Sequence, residues 1–308
     1  ENKKQTIACI IKNYYRNSGL KLSDFVKQNS CVSNFNLSDS WVILSSIEQS
    51  IKSKIEKAGT PLKDWNINIY RGVLTGFNDA FIISREKRQE ILDNCKSEDE
   101  RKKTDDLIRP ILRGRDIKRY EYNFADLYLI NTHNGVKEKN IPRIAIEDYP
   151  TVKAHLDEYW EKIEKRADQG DTPYNLRNCA YMEEFNKPKI VWGNLNLSAT
   201  YAFAPAGMMI NAPATMIVPY SKYLLYILNS KLADYYIRKL GVTRNGGYFE
   251  YKPMFVEQMP VPYPIDDTLF AKFDDNYLYK YIDEINNIVY TLYNLDKQEM
   301  KYIEDQAV

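Results

Sequence analysis

The sequence predicts an α+β protein: a mixed, β-rich unit with inserted helices, flanked by N-terminal and C-terminal helical elements. Apolar residues recur at spacings of three and four near both ends of the chain, the period of helices. The middle carries short alternating or wholly apolar runs punctuated by glycine and proline, the signature of strands. These runs do not follow the regular strand–helix alternation that a doubly wound parallel sheet requires. At 308 residues the chain is long enough to bury a large core, as one large domain with appended elements.

In chain order, the first helix is expected from Ser38, because Trp41, Leu44, Ile47, Ile51 and Ile55 recur on one face with lysine and glutamate between them. Ser38 is its expected N-cap, and Gly59 followed by Pro61 its stop. Residues 66–83 (NINIYRGVLTGFNDAFII) alternate like strands broken at Gly72 and Gly76. Residues 85–106 are charged and mostly helical in pattern, and residues 127–132 (LYLINT) read as a strand. From Pro150 an amphipathic helix is predicted with proline at its opening. KIVWGNL (residues 189–195) has the unbroken apolar character of a buried strand, and the runs at 199–207 and 208–218 follow with prolines as punctuation. Residues 223–240 read as a single helix, apolar at Leu224, Leu228 and Leu232. The glycine pair of TRNGGYFEYKP marks a flexible loop, and the three prolines of FVEQMPVPYP favour an extended, docked strand or linker. In the tail, Leu278, Ile282, Ile285, Val289 and Leu292 keep the period of a coiled-coil seam. Asp296 and Glu299 then have the spacing of a capping box opening one more short helix.

With 43 basic and 42 acidic residues the net charge is +1, which argues against a uniformly cationic coat and leaves room for a local basic cleft. Tyrosine is abundant, at 25 residues; it suits interfaces and base stacking, and AT-rich codon usage produces the same excess. Cys9, Cys31, Cys95 and Cys179 are far apart with no CxxC pair, and read as free thiols of a reducing cytoplasm. No signal peptide or apolar run of membrane length occurs, so a soluble, cytoplasmic protein is expected. The first residues lack an initiator methionine and the last simply stop, the pattern of a fragment of a longer polypeptide.

Catalytic signatures are missing. The sequence has no GxGxxG, P-loop or GxSxG, and its two histidines, His133 and His155, are too far apart for an HExxH pair. Glu250–Lys252 and Glu299–Lys301 supply an ExK spacing, but neither lies in an apolar strand with Pro-Asp upstream. No catalytic residue and no metal site are expected, and the chain reads as a non-catalytic module.

What stands out is LIRPILRGRDIKRYEYN (residues 107–123), with five basic residues against Asp116 and Glu121. The segments IYRGVLTGFNDAFII, IRPILRGRDIKRYEYN followed by LYLI, YPTVKAHLDEYWEKIEKR, FNKPKIVWGNL, YLLYILNSKLADYYIRKL and FVEQMPVPYP occur in this order. Together they resemble the TaqI-like C-terminal specificity domain, the target-recognition domain of Eco57I-type type IIG restriction–modification methyltransferases. The resemblance covers about residues 66–264, and the tail is similar to the helical end of such proteins. It implies an N6-adenine methyltransferase and, commonly, an endonuclease upstream in the same polypeptide, with S-adenosylmethionine and Mg²⁺ as their cofactors. This sequence lacks the (D/N)PP(Y/F) motif, the S-adenosylmethionine loop and a PD-(D/E)xK site. The implied division is 1–62, a helical spacer or the end of the methyltransferase; 63–265, the target-recognition domain; and 266–308, a helical tail.

A DNA reader needs cations that hold the backbone and a few side chains that read base edges. Arg113, Arg115, Lys118 and Arg119 are the candidate phosphate contacts; the alternative is a structural turn at Gly114 with Arg115 paired to Asp116 or another carboxylate. A motif common to a family whose members read different sites does not itself choose the sequence. Base reading is expected from loops with forked donors: Arg177 and Asn178, Asn194 and Asn196, and Arg244, Asn245 and Lys252. The expected partner is double-stranded DNA, together with the upstream domains and without a membrane. The alternative is a protein–protein docking module using the tyrosine-rich surface and the C-terminal heptad helix.

Overall fold

The computed structural model describes residues 5–9, 11, 19, 21–34, 44–241, 243–263 and 267–307. Its centre is an antiparallel sheet of four strands in the order Tyr201–Ala204, Lys189–Trp192, Thr215–Val218, Asn68–Arg71. Side chains alternate across it, as a pleated strand demands. Ile190, Trp192, Tyr201 and Ile217 enter one apolar core, while Val191, Ala202, Ala204 and Met216 enter another on the opposite face. Burial on both faces explains why KIVW and TMIV are apolar without alternation. Even Lys189 is buried: its ammonium donates to the Pro205 carbonyl at 3.0 Å, and burial pulls its pKa down to about 8.

The first core is closed by helices Ser46–Ala58, Lys222–Leu228, Lys231–Leu240, Ile282–Leu292 and Lys297–Gln306. The second is closed by a mixed sheet in the order Met209–Ile210, Ile108–Leu112, Leu127–Ile130, Ile82–Ser84, with helices Arg85–Asp93, Glu98–Leu107 and Pro150–Asp157. The N-terminal segment adds a two-stranded antiparallel sheet, Gln5–Cys9 with Ser30–Asn34. This is an α+β architecture.

Several elements differ from their expected form, each for a local reason. The first helix of the main body begins at Ser46, where Ser45 and Glu48 form a capping box; Leu44 precedes it, and Ser38 and Trp41 lie outside the described residues. Within the run expected to be strands, Asn78–Phe81 is helical. The stretch from Pro150 is two short helices, Pro150–Asp157 and Trp160–Ile163. Residues 223–240 are also two helices. They break at Asn229, whose side-chain amide bonds both the N–H and the carbonyl of Tyr201 at the edge of the central sheet, and Ser230 caps the second. Pro253–Val256 is a helical turn, and Pro260–Val261 pairs with Thr60–Pro61. Leu278 lies in a 3₁₀ turn, Asp275–Tyr281, ahead of the tail helix rather than in it, while Ile285 and Val289 are buried. The Asp296–Glu299 capping box is present as the spacing predicts. No described helix is long and apolar enough to cross a membrane. Cys9, Cys95 and Cys179 are free thiols.

Candidate nucleic-acid interface

The basic stretch leaves strand Ile108–Leu112 and turns at Gly114–Asp116. The buried Asp116 carboxylate fixes that turn, accepting from the Arg113 N–H at 2.9 Å and from its guanidinium Nε and Nη2 at 2.9 and 2.8 Å. Burial works to raise the Asp116 pKa, but the Arg113 guanidinium and N–H hold it below the usual carboxylate range. Arg113 thus braces the turn. Arg119 does similar work, donating from Nε to the Ala199 carbonyl at 3.3 Å. Arg115 and Lys118 are exposed, and the Lys118 ammonium reaches the Arg115 carbonyl at 3.1 Å.

The turn sits directly against the loop that starts at Gly193. A Cβ on Gly193 would lie 3.2 Å from the Gly114 carbonyl oxygen, and one on Gly114 would lie 3.4 Å from the Gly193 Cα. A side chain at Gly193 would therefore be tight against the turn, while one at Gly114 would meet it at ordinary van der Waals distance. From this junction Leu195–Asn196 pairs antiparallel with Phe249–Glu250, in the register Leu195↔Glu250 and Asn196↔Phe249. The result is a narrow ribbon, and Phe249 is bridged on its other side to Thr243 through a turn at Gly246 and Gly247, with φ of +76° and +79°. The Arg244 N–H closes the turn on the Tyr248 carbonyl at 2.7 Å.

Polar groups pin the ribbon to the core. The Asn194 carbonyl accepts from the Tyr251 N–H at 2.8 Å, and its side-chain oxygen accepts from the Thr215 hydroxyl at 2.7 Å. The Asn196 amide folds back onto the Gly193 carbonyl at 2.6 Å. Asp234, buried, accepts from the Ala199 N–H at 2.7 Å and from the Tyr251 hydroxyl, and pairs with Arg238 at 3.1 Å. Glu250 is buried between Lys252, at 3.0 Å, and Arg244, whose Nε lies at 2.6 Å; those two cations hold its pKa below the usual range. Asn245 is exposed in the turn with Gly246 and Gly247.

The structure therefore gathers Arg113, Arg115, Lys118, Arg119, Asn194, Asn196, Arg244, Asn245 and Lys252 around one junction and the ribbon that leaves it. Arg177 and Asn178 lie in another loop cluster: Arg177 pairs with Asp168 at 2.8 Å, and the Asn178 side-chain oxygen accepts from Asn134. The two ExK pairs are structural in their contacts. Glu250 holds the ribbon cations, and Glu299 caps the last helix while accepting from Ser50 at 2.6 Å and Lys54 at 2.5 Å. Among the described residues no three or more His, Cys, Asp or Glu side chains are grouped to hold a metal. Sequence reasoning missed Leu195, Leu197 and Tyr248, which are exposed on the ribbon, because it searched the loops for polar forks alone.

Residues 109–261 match the model of a family described as the TaqI-like C-terminal specificity domain. No curated protein matches the sequence. Among solved structures, the type IIL restriction–modification enzyme MmeI, determined in complex with DNA, is similar with a TM-score of 0.51 and 11% identity, over 80% of this chain and 33% of that one. The type IIG restriction endonuclease BpuSI is similar with a TM-score of 0.51 and 15% identity, over 85% of this chain and 32% of its own. These likenesses are of fold, and the chain spans about a third of the length of either protein.

Proposed function

We propose, from the match of residues 109–261 to the TaqI-like C-terminal specificity domain, that the chain is the duplex-DNA recognition module of a type IIG restriction–modification enzyme. In that reading an adenine-N6 methyltransferase, with or without a fused endonuclease, performs the chemistry in domains outside this chain and uses S-adenosylmethionine and Mg²⁺. The module itself is non-catalytic and works in the cytoplasm.

The observation that carries this reading is the Gly114–Gly193 contact, which joins a basic turn to a two-stranded ribbon. A major groove about 12 Å wide admits such a ribbon, while cations beside it meet phosphates. Arg115 and Lys118 hold the backbone, and Arg113 and Arg119 shape the surface that presents them. Asn194, Asn196, Arg244, Asn245 and Lys252 read base edges from the ribbon and its junction, with Arg177 and Asn178 contributing from the second loop cluster.

A titration of labelled random duplex across a salt series tests this. Affinity is expected to fall steeply as salt rises, and Arg115→Ala to reduce the slope by about one unit. Arg244→Ala is expected to weaken a preferred duplex by about 1–3 kcal/mol and to leave random duplex nearly unchanged. Absence of binding at low salt rejects the reading in favour of a protein-docking module.

A further inference from the structure

The ribbon has an apolar face that the polar readers leave unused. Leu195, Leu197 and Tyr248 are 50%, 46% and 41% exposed. The register pairs Leu195 with Glu250, which puts those two on one face; Leu197 follows in the bend that ends the first strand, and Tyr248 immediately precedes the second. Phe249 belongs to the other face, packed against the first core with the Arg238 guanidinium 4.7 Å from its ring centroid. On the outer face the carboxylate of Glu250 is covered by Arg244 and Lys252. What remains is an exposed apolar patch beside an Arg244–Glu250–Lys252 cluster with one cation in excess, and it continues from the junction where Arg115 and Lys118 are exposed. That combination fits a polyanion displaying apolar groups between its charged rails. In the major groove the one such group is the C5 methyl of thymine.

We infer that this patch reads thymine methyls in the major groove, with Leu197 and Tyr248 at its centre and Leu195 beside them. The inference rests on the DNA-recognition reading above and adds a base class to it. The contact is made by apolar surface, so it discriminates thymine from an otherwise identical base that lacks the methyl.

Deoxyuridine supplies that comparison, because it pairs as thymine does and removes only the methyl. A preferred duplex is first enriched from a random pool on the full chain, then resynthesised with each thymine in turn replaced by deoxyuridine. At one or more positions the wild-type chain is expected to lose about fourfold in affinity, the worth of one buried methyl-sized group. Leu197→Ala is expected to bind the thymine duplex with a similar loss and to become indifferent to deoxyuridine at that position. Leu197 is exposed, so the variant folds, and an unchanged melting temperature verifies it. The inference is overturned if the preferred sequence contains no A·T pair or if no deoxyuridine substitution changes wild-type affinity. It is equally overturned if Leu197→Ala and Tyr248→Ala both keep the full discrimination at every position. If no duplex is enriched at all, the DNA-recognition reading fails first and takes this inference with it.

Discussion

Asp234 is the residue on which the ribbon's geometry depends most. Its carboxylate takes the Ala199 N–H, at the end of the loop that carries Asn194 to Leu197, and the Tyr251 hydroxyl, next to the strand that carries Glu250. Arg238 completes the site, its side chain 9% exposed against 4% for Asp234, and its Nη2 also donates to the Gln306 carbonyl at 2.7 Å. Asp234→Ala leaves the buried Ala199 N–H and Tyr251 hydroxyl without their acceptor and Arg238 without its counter-charge. Losing one partner of a buried pair costs about 3–5 kcal/mol. Urea unfolding is expected to show that loss, and Asp234→Asn, which keeps an acceptor, a smaller one. Equal stability of Asp234→Ala and the parent chain would show that the contact is ornamental.

At the scale of elements, the tail helix Ile282–Leu292 seals the first core through Ile285, 1% exposed, and Val289. Ile285→Asp puts an unpaired carboxylate among apolar neighbours and is expected to lower stability by several kcal/mol, read as a drop in melting temperature. This helix and the Asp296–Glu299 capping box were legible because both are local patterns, three or four residues apart. The capping box of Ser45 and Glu48 had the same local spacing, yet the apolar period alone drew the start back to Ser38. The break at Asn229 was illegible for another reason: its partner, Tyr201, lies 28 residues away and on a different element. The site divides in the same way. An excess of basic residues marks residues 113–119, but only folding decides that Arg113 is tied to Asp116 while Arg115 is exposed. The ribbon's strands, Leu195–Asn196 and Phe249–Glu250, are two residues each, too short for any period to announce an outward apolar face.

On the scale of the whole molecule, the three stretches 1–62, 63–265 and 266–308 all supply the first core: Ile51 and Ile55, then Trp192 and Tyr201, then Ile285 and Ile303. The second core touches the first through the central sheet, whose strands send alternate side chains to each. That shared sheet has a thermodynamic consequence. Neither core can lose its packing without stripping one face from strands the other core still needs, so the two are expected to melt as a single cooperative unit. Calorimetry should give one endotherm whose van 't Hoff and calorimetric enthalpies agree; two separated transitions would show the sheet to be a divider rather than a coupling. If the unit is single, a ligand held only at the ribbon raises the melting point of everything, including helices on the far side that never approach it, by the mass action of its binding to the folded form alone.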